Sequence, residues 1–157
     1  MNVPIPRHGE VCFRTATLVD RFLDTKPTGR VVTNDSGVIT ARDPDTVRGP
    51  DVAYYSFARI PPGPLPRHYR DVVPEVVFEV HSATDRWREI LYKLAEYLEA
   101  GVTVVVVLDE QTSKAHIHRD DREPETLDAN DELTLPDVLP GFAIKVSKFF
   151  EPSRLPS

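Results

Sequence analysis

Glu79 stands inside the apolar run VVFEVH, where an ionised carboxylate is costly unless it is paired or bound to a metal. Read as a strand, the run places Val77, Glu79 and His81 on one face and Val76, Phe78 and Val80 on the other. A structural ion pair would account for a single carboxylate at that place. A second acid changes the reading: Asp51 follows Pro50 at the start of DVAYYS, the strand expected just before. Alone, Pro-Asp is a common turn. On neighbouring strands, Asp51 and Glu79 can share a divalent cation through hard oxygen ligands. Oxygen donors without a thiolate suit Mg²⁺ or Mn²⁺ better than zinc. An ion held in this way polarises a phosphoryl oxygen, orients water and stabilises the leaving oxygen.

That chemistry gains from a cation beside the carboxylates. Lys93 is the candidate, on the flank of an amphipathic helix and near Arg86, Glu89 and Tyr97 in helical projection. Its bland reading is a solvated helix lysine. His81, two residues after Glu79 and on the same strand face, competes as a base or as a hydrogen-bond donor behind the metal ligands. A strand histidine with a structural partner of its own is the equal alternative.

The elements that must position these groups can be read from periodicity and turn signals. Val11, Leu18, Val19 and Phe22 give one face of a helix over residues 10–23. Two short β-like runs follow, RVVT from Arg30 and GVIT from Gly37, and the polar stretch Asn34-Asp35-Ser36-Gly37 predicts that they pair as a hairpin. DVAYYS and residues 75–82 are the next strands, with Tyr54 and Tyr55 expected to divide between core and surface. A helix then begins with Thr84 as its cap, carries Trp87, Ile90, Leu91, Leu94 and Leu98 as its apolar stripe, and ends at Gly101. VTVVVVLD, residues 102–109, is apolar throughout and reads as a strand covered on both faces. Strand, helix and strand make a βαβ unit, so the strands from Glu75 and Val102 should be parallel. KAHIHR is the expected antiparallel neighbour, with one or two more strands between Leu133 and Phe150. The fold class is α/β, a mixed sheet flanked by helices.

In this order PDVAYY, PEVVFEVHSATDR, REILYKLAEYLEAGV with VVVVLD, and the closing DVLPGFAIKV resemble the Uma-type restriction-endonuclease family, from about His8 to Phe150. The resemblance implies the restriction-endonuclease-like PD-(D/E)xK fold and a Mg²⁺-dependent phosphodiesterase site. Asp51 and Glu79 match its two acids. The familiar motif has a lysine two residues after the second acid, where this chain has His81. The resemblance suggests a lysine displaced onto the following helix, which matches Lys93. Nucleases of this fold can also draw an acid from the first helix, and Glu10 is the match. His8 lies where the family's first helix begins, and the short β-hairpin that members often carry before it would have to fit in seven residues.

Length and composition set the frame. The 157 residues fit a single domain, 1–157, with 40% hydrophobic and 28% charged residues, as in ordinary globular proteins. No apolar run is long enough to span a bilayer and no signal-peptide segment opens the sequence, so a cytoplasmic location without membrane contact is expected. One cysteine, Cys12, excludes an intrachain disulfide and a cysteine-rich zinc cluster. A net charge of -6 opposes nucleic-acid binding unless basic groups gather locally. The segment from Arg59 to Arg70, with Arg86 and Arg88, is the candidate basic face, while acids crowd between Asp120 and Glu132. The stretch Pro61-Pro62-Gly63-Pro64 reads as a surface loop.

Other polar groups have structural readings. Asp109 fits a turn after its strand, and His116 with His118 fits an exposed strand face without a third ligand. The function expected is a divalent-metal-dependent endonuclease acting on DNA with Mg²⁺ (or Mn²⁺), in which Asp51 and Glu79 bind the metal. Lys93 supports the attacking water, Glu10 adds a distal acid, and a homodimer serves both strands. A non-catalytic interaction or dimerisation module that keeps the fold is the alternative from another class. Hydrolysis of a small phosphorylated molecule is a third possibility. Basic side chains converging on the acid pair would favour the nuclease; Lys93 turned to solvent would favour the module.

Overall fold

The computed structural model describes residues 3–67, 71–152 and 154. Along the chain come α1 (Pro6–Thr25), β1 (Gly29–Thr33), β2 (Val38–Ala41), β3 (Thr46–Arg48), β4 (Val52–Ser56) and β5 (Val76–His81). They are followed by α2 (Trp87–Glu99), β6 (Val104–Asp109), β7 (Lys114–Arg119), β8 (Arg122–Leu127), β9 (Glu132–Leu135), β10 (Leu139–Lys145) and a 3-10 turn, Val146–Phe149.

The β-branched run of β6 is buried at every position, which requires cover on both faces and neighbours on both edges. Six strands supply the sheet in the order β1-β4-β5-β6-β7-β8, so β5 and β6 lie at its middle. They run parallel, Val76 beside Val104 through His81 beside Asp109, with α2 as the crossover. The other pairs in this sheet are antiparallel, which makes it mixed.

Alternation assigns the two faces. Val76, Phe78, Val80, Val104, Val106 and Leu108 join Val11, Val19 and Leu23 of α1 in the larger core, closed by the β9–β10 hairpin and the 3-10 turn. Val77, Val105 and Val107 face Ile90, Leu94 and Tyr97 of α2. Each fully buried aliphatic side chain contributes about 1.5–3 kcal/mol relative to exposure, so β5 and β6 anchor the scaffold on which the site is built.

The strands and helices depart from the sequence reading in several places. The expected hairpin between RVVT and GVIT does not form. β1 pairs with β4 along its whole length, Gly29 opposite Ser56 through Thr33 opposite Val52. Asn34 and Asp35, at φ 63° and 54°, turn the chain so that β2 meets β3 instead. Thr84 does not cap α2: its hydroxyl pairs with Ser82 at 3.2 Å, and the helix starts after Arg86 without a side-chain cap. Trp87 and Leu91 leave the stripe, 37% and 47% exposed, while Tyr97 is fully buried in it. β8 is an added strand, exposed over residues 122–126, which carries no apolar pattern to announce it. Tyr54 and Tyr55 are both buried, on opposite faces, because this part of the sheet is covered on both sides.

The expected helix end is present: Gly101 follows α2 at φ 106°, a left-handed conformation that costs glycine little. α1 begins earlier than the apolar pattern suggests, with Pro6 supplying the fixed φ favoured in a first turn.

Candidate active site

β4 and β5 set the carboxylates side by side. Val52 lies opposite Phe78 and Ala53 opposite Val77, and one more step of that antiparallel register sets Asp51 across from Glu79. Asp51 sits just before β4 and accepts the backbone N–H of Val80 at 2.8 Å through Oδ2, which ties it to β5. Glu79 is 3% exposed, on the α2 side of the sheet.

α2 completes the arrangement. Tyr97 donates its hydroxyl hydrogen to Glu79 Oε1 at 3.0 Å. Burial, followed by the charge of Glu79, raises the phenol of Tyr97 well above its ordinary range, so it remains a donor. Lys93 lies one turn earlier on the same helix, half-buried, and its positive charge acts on Glu79. Burial first, and then the neighbouring charge of Asp51, pushes the Glu79 carboxyl up to about 8, while Lys93 and the Tyr97 hydrogen bond oppose the shift. A buried carboxylate beside a second carboxylate is further stabilised in its charged form by added positive charge. Two facing oxygen donors in that state fit a hard divalent cation, and Asp51 and Glu79 are the residues that would hold it.

α1 contributes two groups that the sequence reading did not place in the site. His8 Nε2 lies 3.4 Å from Asp51 Oδ2, and Cys12 Sγ lies 3.6 Å from His8 Nδ1. The hydrogen bond to Asp51, with a smaller one from Cys12, raises His8 to about 11, so it is an imidazolium at neutral pH. Burial pushes the Cys12 thiol up. A thiol therefore does stand beside the acids, contrary to the expectation of oxygen donors alone. The i, i+4 spacing of His8 and Cys12 at the start of α1 was the available signal, as the same spacing from Lys93 was for Tyr97.

Glu10 occupies a different part of α1. It is two residues from His8, about 160° around the helix axis, and it pairs with Arg7 at 2.9 Å. Arg7 in turn donates to the carbonyl of Phe150 at 2.5 Å. The α1 side chain seen in contact with Asp51 is His8, at 3.4 Å.

His81 has partners of its own. Its Nδ1 lies 3.3 Å from Asp109 Oδ1, and its ring stacks on Trp87 at 4.2 Å between centroids. Asp109 also accepts Gln111 N–H at 3.1 Å and the Thr112 hydroxyl at 2.7 Å, a turn role. Burial opposes its charge, but these hydrogen bonds hold the carboxyl below its ordinary value. His116 pairs with Thr126 at 3.1 Å.

The expected basic face is partly dismantled. Residues 68–70 lie outside the described residues. Arg59 binds the carbonyls of Val73 and Pro74 at 2.8 and 3.1 Å and pairs with Glu75 at 3.3 Å, so it braces the loop before β5. The proline-rich stretch is an exposed loop, as expected, with the carbonyls of Pro61 and Gly63 held by Arg30.

Comparison with known proteins adds family and fold. No match was found among curated proteins. Among solved structures, the chain is similar to one described as a "putative nuclease belonging to DUF820" from Anabaena variabilis ATCC 29413. The two share 14% identity at a TM-score of 0.83, over 95% of this chain and 83% of the other. At that identity the likeness establishes the fold, a mixed α/β sheet with flanking helices. The Uma2 family, described as "Putative restriction endonuclease", matches residues 1–147, nearly the whole sequence, and the chain therefore belongs to that family.

Proposed function

We propose that this protein is a divalent-metal-dependent endonuclease that hydrolyses DNA phosphodiester bonds, with Asp51 and Glu79 as the metal-holding carboxylates. The observation that carries the reading is their convergence with Lys93: two acids from adjacent strands and one cation whose charge acts on the buried member of the pair. Family membership supports the same class of chemistry. When bound, Mg²⁺ or Mn²⁺ supplies Lewis-acid polarisation of the phosphate and neutralises charge that builds up on it.

The chain's own residues supply position and proton control. Asp51 is fixed by Val80 N–H, and Glu79 by the Tyr97 hydroxyl, so both carboxylates are preorganised. In this reading Lys93, whose charge acts on Glu79, orients the attacking water and stabilises negative charge as the bond breaks. The imidazolium of His8 balances the charge of Asp51. Glu10, on the same helix as His8 and paired with Arg7, remains the proposed distal acid. The charge of Lys93 acting on Glu79 supports a nuclease over a non-catalytic module. Cutting both strands of a duplex calls for two such sites, so a homodimer belongs to the proposal, as does a cytoplasmic location where DNA is present. Among the described residues no helix is long and apolar enough to cross a membrane.

The test is cleavage of supercoiled plasmid DNA with Mg²⁺ or Mn²⁺, comparing the native chain with Glu79→Gln. Nicking or linearisation by the native protein that needs metal and is lost in the variant supports the assignment. Equal cleavage by both, or none by the native protein on duplex and single-stranded DNA, overturns it.

A further inference from the structure

We propose that His8, Cys12 and Asp51 form a second cation site, for a thiophilic divalent ion such as Zn²⁺ or Co²⁺, which shares Asp51 with the carboxylate pair. One ligand atom from each of the three lies within 4.8 Å of the other two, and they are the group of this kind found among the described residues. The helix supplies a nitrogen and a sulfur donor from one face, four residues apart, and the loop before β4 supplies an oxygen.

The donor chemistry separates this site from its neighbour. Asp51 with Glu79 is an oxygen pair suited to a hard cation; sulfur, nitrogen and oxygen together suit zinc and cobalt. Access comes through a groove of about 630 Å³ between α1 and the turn after β1, lined also by Phe13, Asp20, Asn34 and Asp35. Among the described residues no lysine or arginine lines it, and its carboxylates concentrate cations at its wall. Three protein donors leave one tetrahedral position for water or a small ligand from the groove.

The imidazole bridges thiol and carboxylate, Nδ1 toward Cys12 and Nε2 toward Asp51. Ligation turns the ring so that one nitrogen meets the ion. Cys12 binds as the thiolate, and its thiol proton passes to solvent. Occupancy draws Asp51 away from Glu79, making a thiophilic ion an inhibitor of the Mg²⁺-dependent reaction. That consequence rests on the nuclease reading; the site itself does not.

Co²⁺ titration of the full chain tests the site without any activity measurement. The native protein should show a thiolate-to-cobalt charge-transfer band in the near ultraviolet and tetrahedral visible bands, both bleached by Zn²⁺. Cys12→Ser should lose the charge-transfer band, and His8→Ala should bind Co²⁺ more than about tenfold more weakly, each with a native-like circular dichroism spectrum. Glu79→Gln should keep the band. Absence of the band at millimolar Co²⁺ in the native protein overturns the proposal, as does its loss in Glu79→Gln. A chain that shows the band but cleaves no DNA keeps this site and loses the nuclease reading; the reverse result does the opposite.

Discussion

Tyr97 donates its hydroxyl hydrogen to Glu79 Oε1 across 3.0 Å, so α2 holds the buried carboxylate of β5 directly. Lys93 acts on the same carboxylate from one helical turn away. The packing of α2 against β5 and β6 therefore orients Glu79 and brings the charge of Lys93 to bear on it, while Asp51 acts from the β4 side.

Removing the hydroxyl alone isolates its contribution. Tyr97→Phe keeps the buried ring and deletes a hydrogen bond of about 0.5–1.5 kcal/mol. A carboxylate released from its orienting partner should bind Mn²⁺ about 10–100-fold more weakly. Calorimetric titration of variant and native protein reads this, and unchanged affinity would show that packing alone orients Glu79.

Lys93→Met tests the cation. The isosteric stem preserves the helix packing while removing the charge. Turnover should fall about 10²–10³-fold, with Mn²⁺ affinity close to native. Native turnover in the variant would remove Lys93 from the reaction.

The protonation of Glu79 gives a pH signature. Its carboxyl titrates near 8 when folded, against 4.5 as its ordinary value, so between those values the folded chain binds more protons than the unfolded one. Stability from this group is complete below about pH 4.5 and is lost as pH rises toward 8. The metal-free melting temperature should therefore decline across that window, and Glu79→Gln should flatten the decline. His8, raised from 6.5 to about 11, acts in the same direction at higher pH. Mn²⁺ affinity should rise over the same range as the proton leaves Glu79. Scanning calorimetry and titration from pH 5 to 9 would check both, and a melting temperature that climbs with pH would contradict the assignment.

Arg59 distinguishes a structural brace from a DNA contact. Its guanidinium holds two backbone carbonyls and Glu75 in front of β5. Arg59→Ala should destabilise the fold by about 1–3 kcal/mol, the range for partners left unsatisfied. Urea denaturation measures the loss. A variant as stable as the native protein but weaker on DNA would return Arg59 to the binding surface.

Much of this was legible in the residues because it depends on local pattern. The unbroken apolar run of β6 required a covered central strand, and the carboxylate inside β5 was anomalous on its face. β4 followed from the run DVAYYS, and Gly101 from the need for a left-handed residue after α2. β8 was not legible, since a mostly exposed strand shows no apolar alternation. The β2–β3 pairing was not legible either, because β1 had another partner, β4, whose distance along the chain gives no signal.

The sequence by itself determined which residue types were out of place and which runs had to be strands or helices, since burial cost and periodicity act residue by residue. It singled out Asp51, Glu79, Lys93 and Glu10 as members of one candidate site. Only the tertiary structure decided what meets them. α1 brings His8 and Cys12 to Asp51 while Glu10 pairs with Arg7, and α2 turns Tyr97 inward while Trp87 and Leu91 stay exposed. The rotation of a packed helix about its axis is fixed by the sum of its contacts with the sheet, and no single residue in its sequence carries that information.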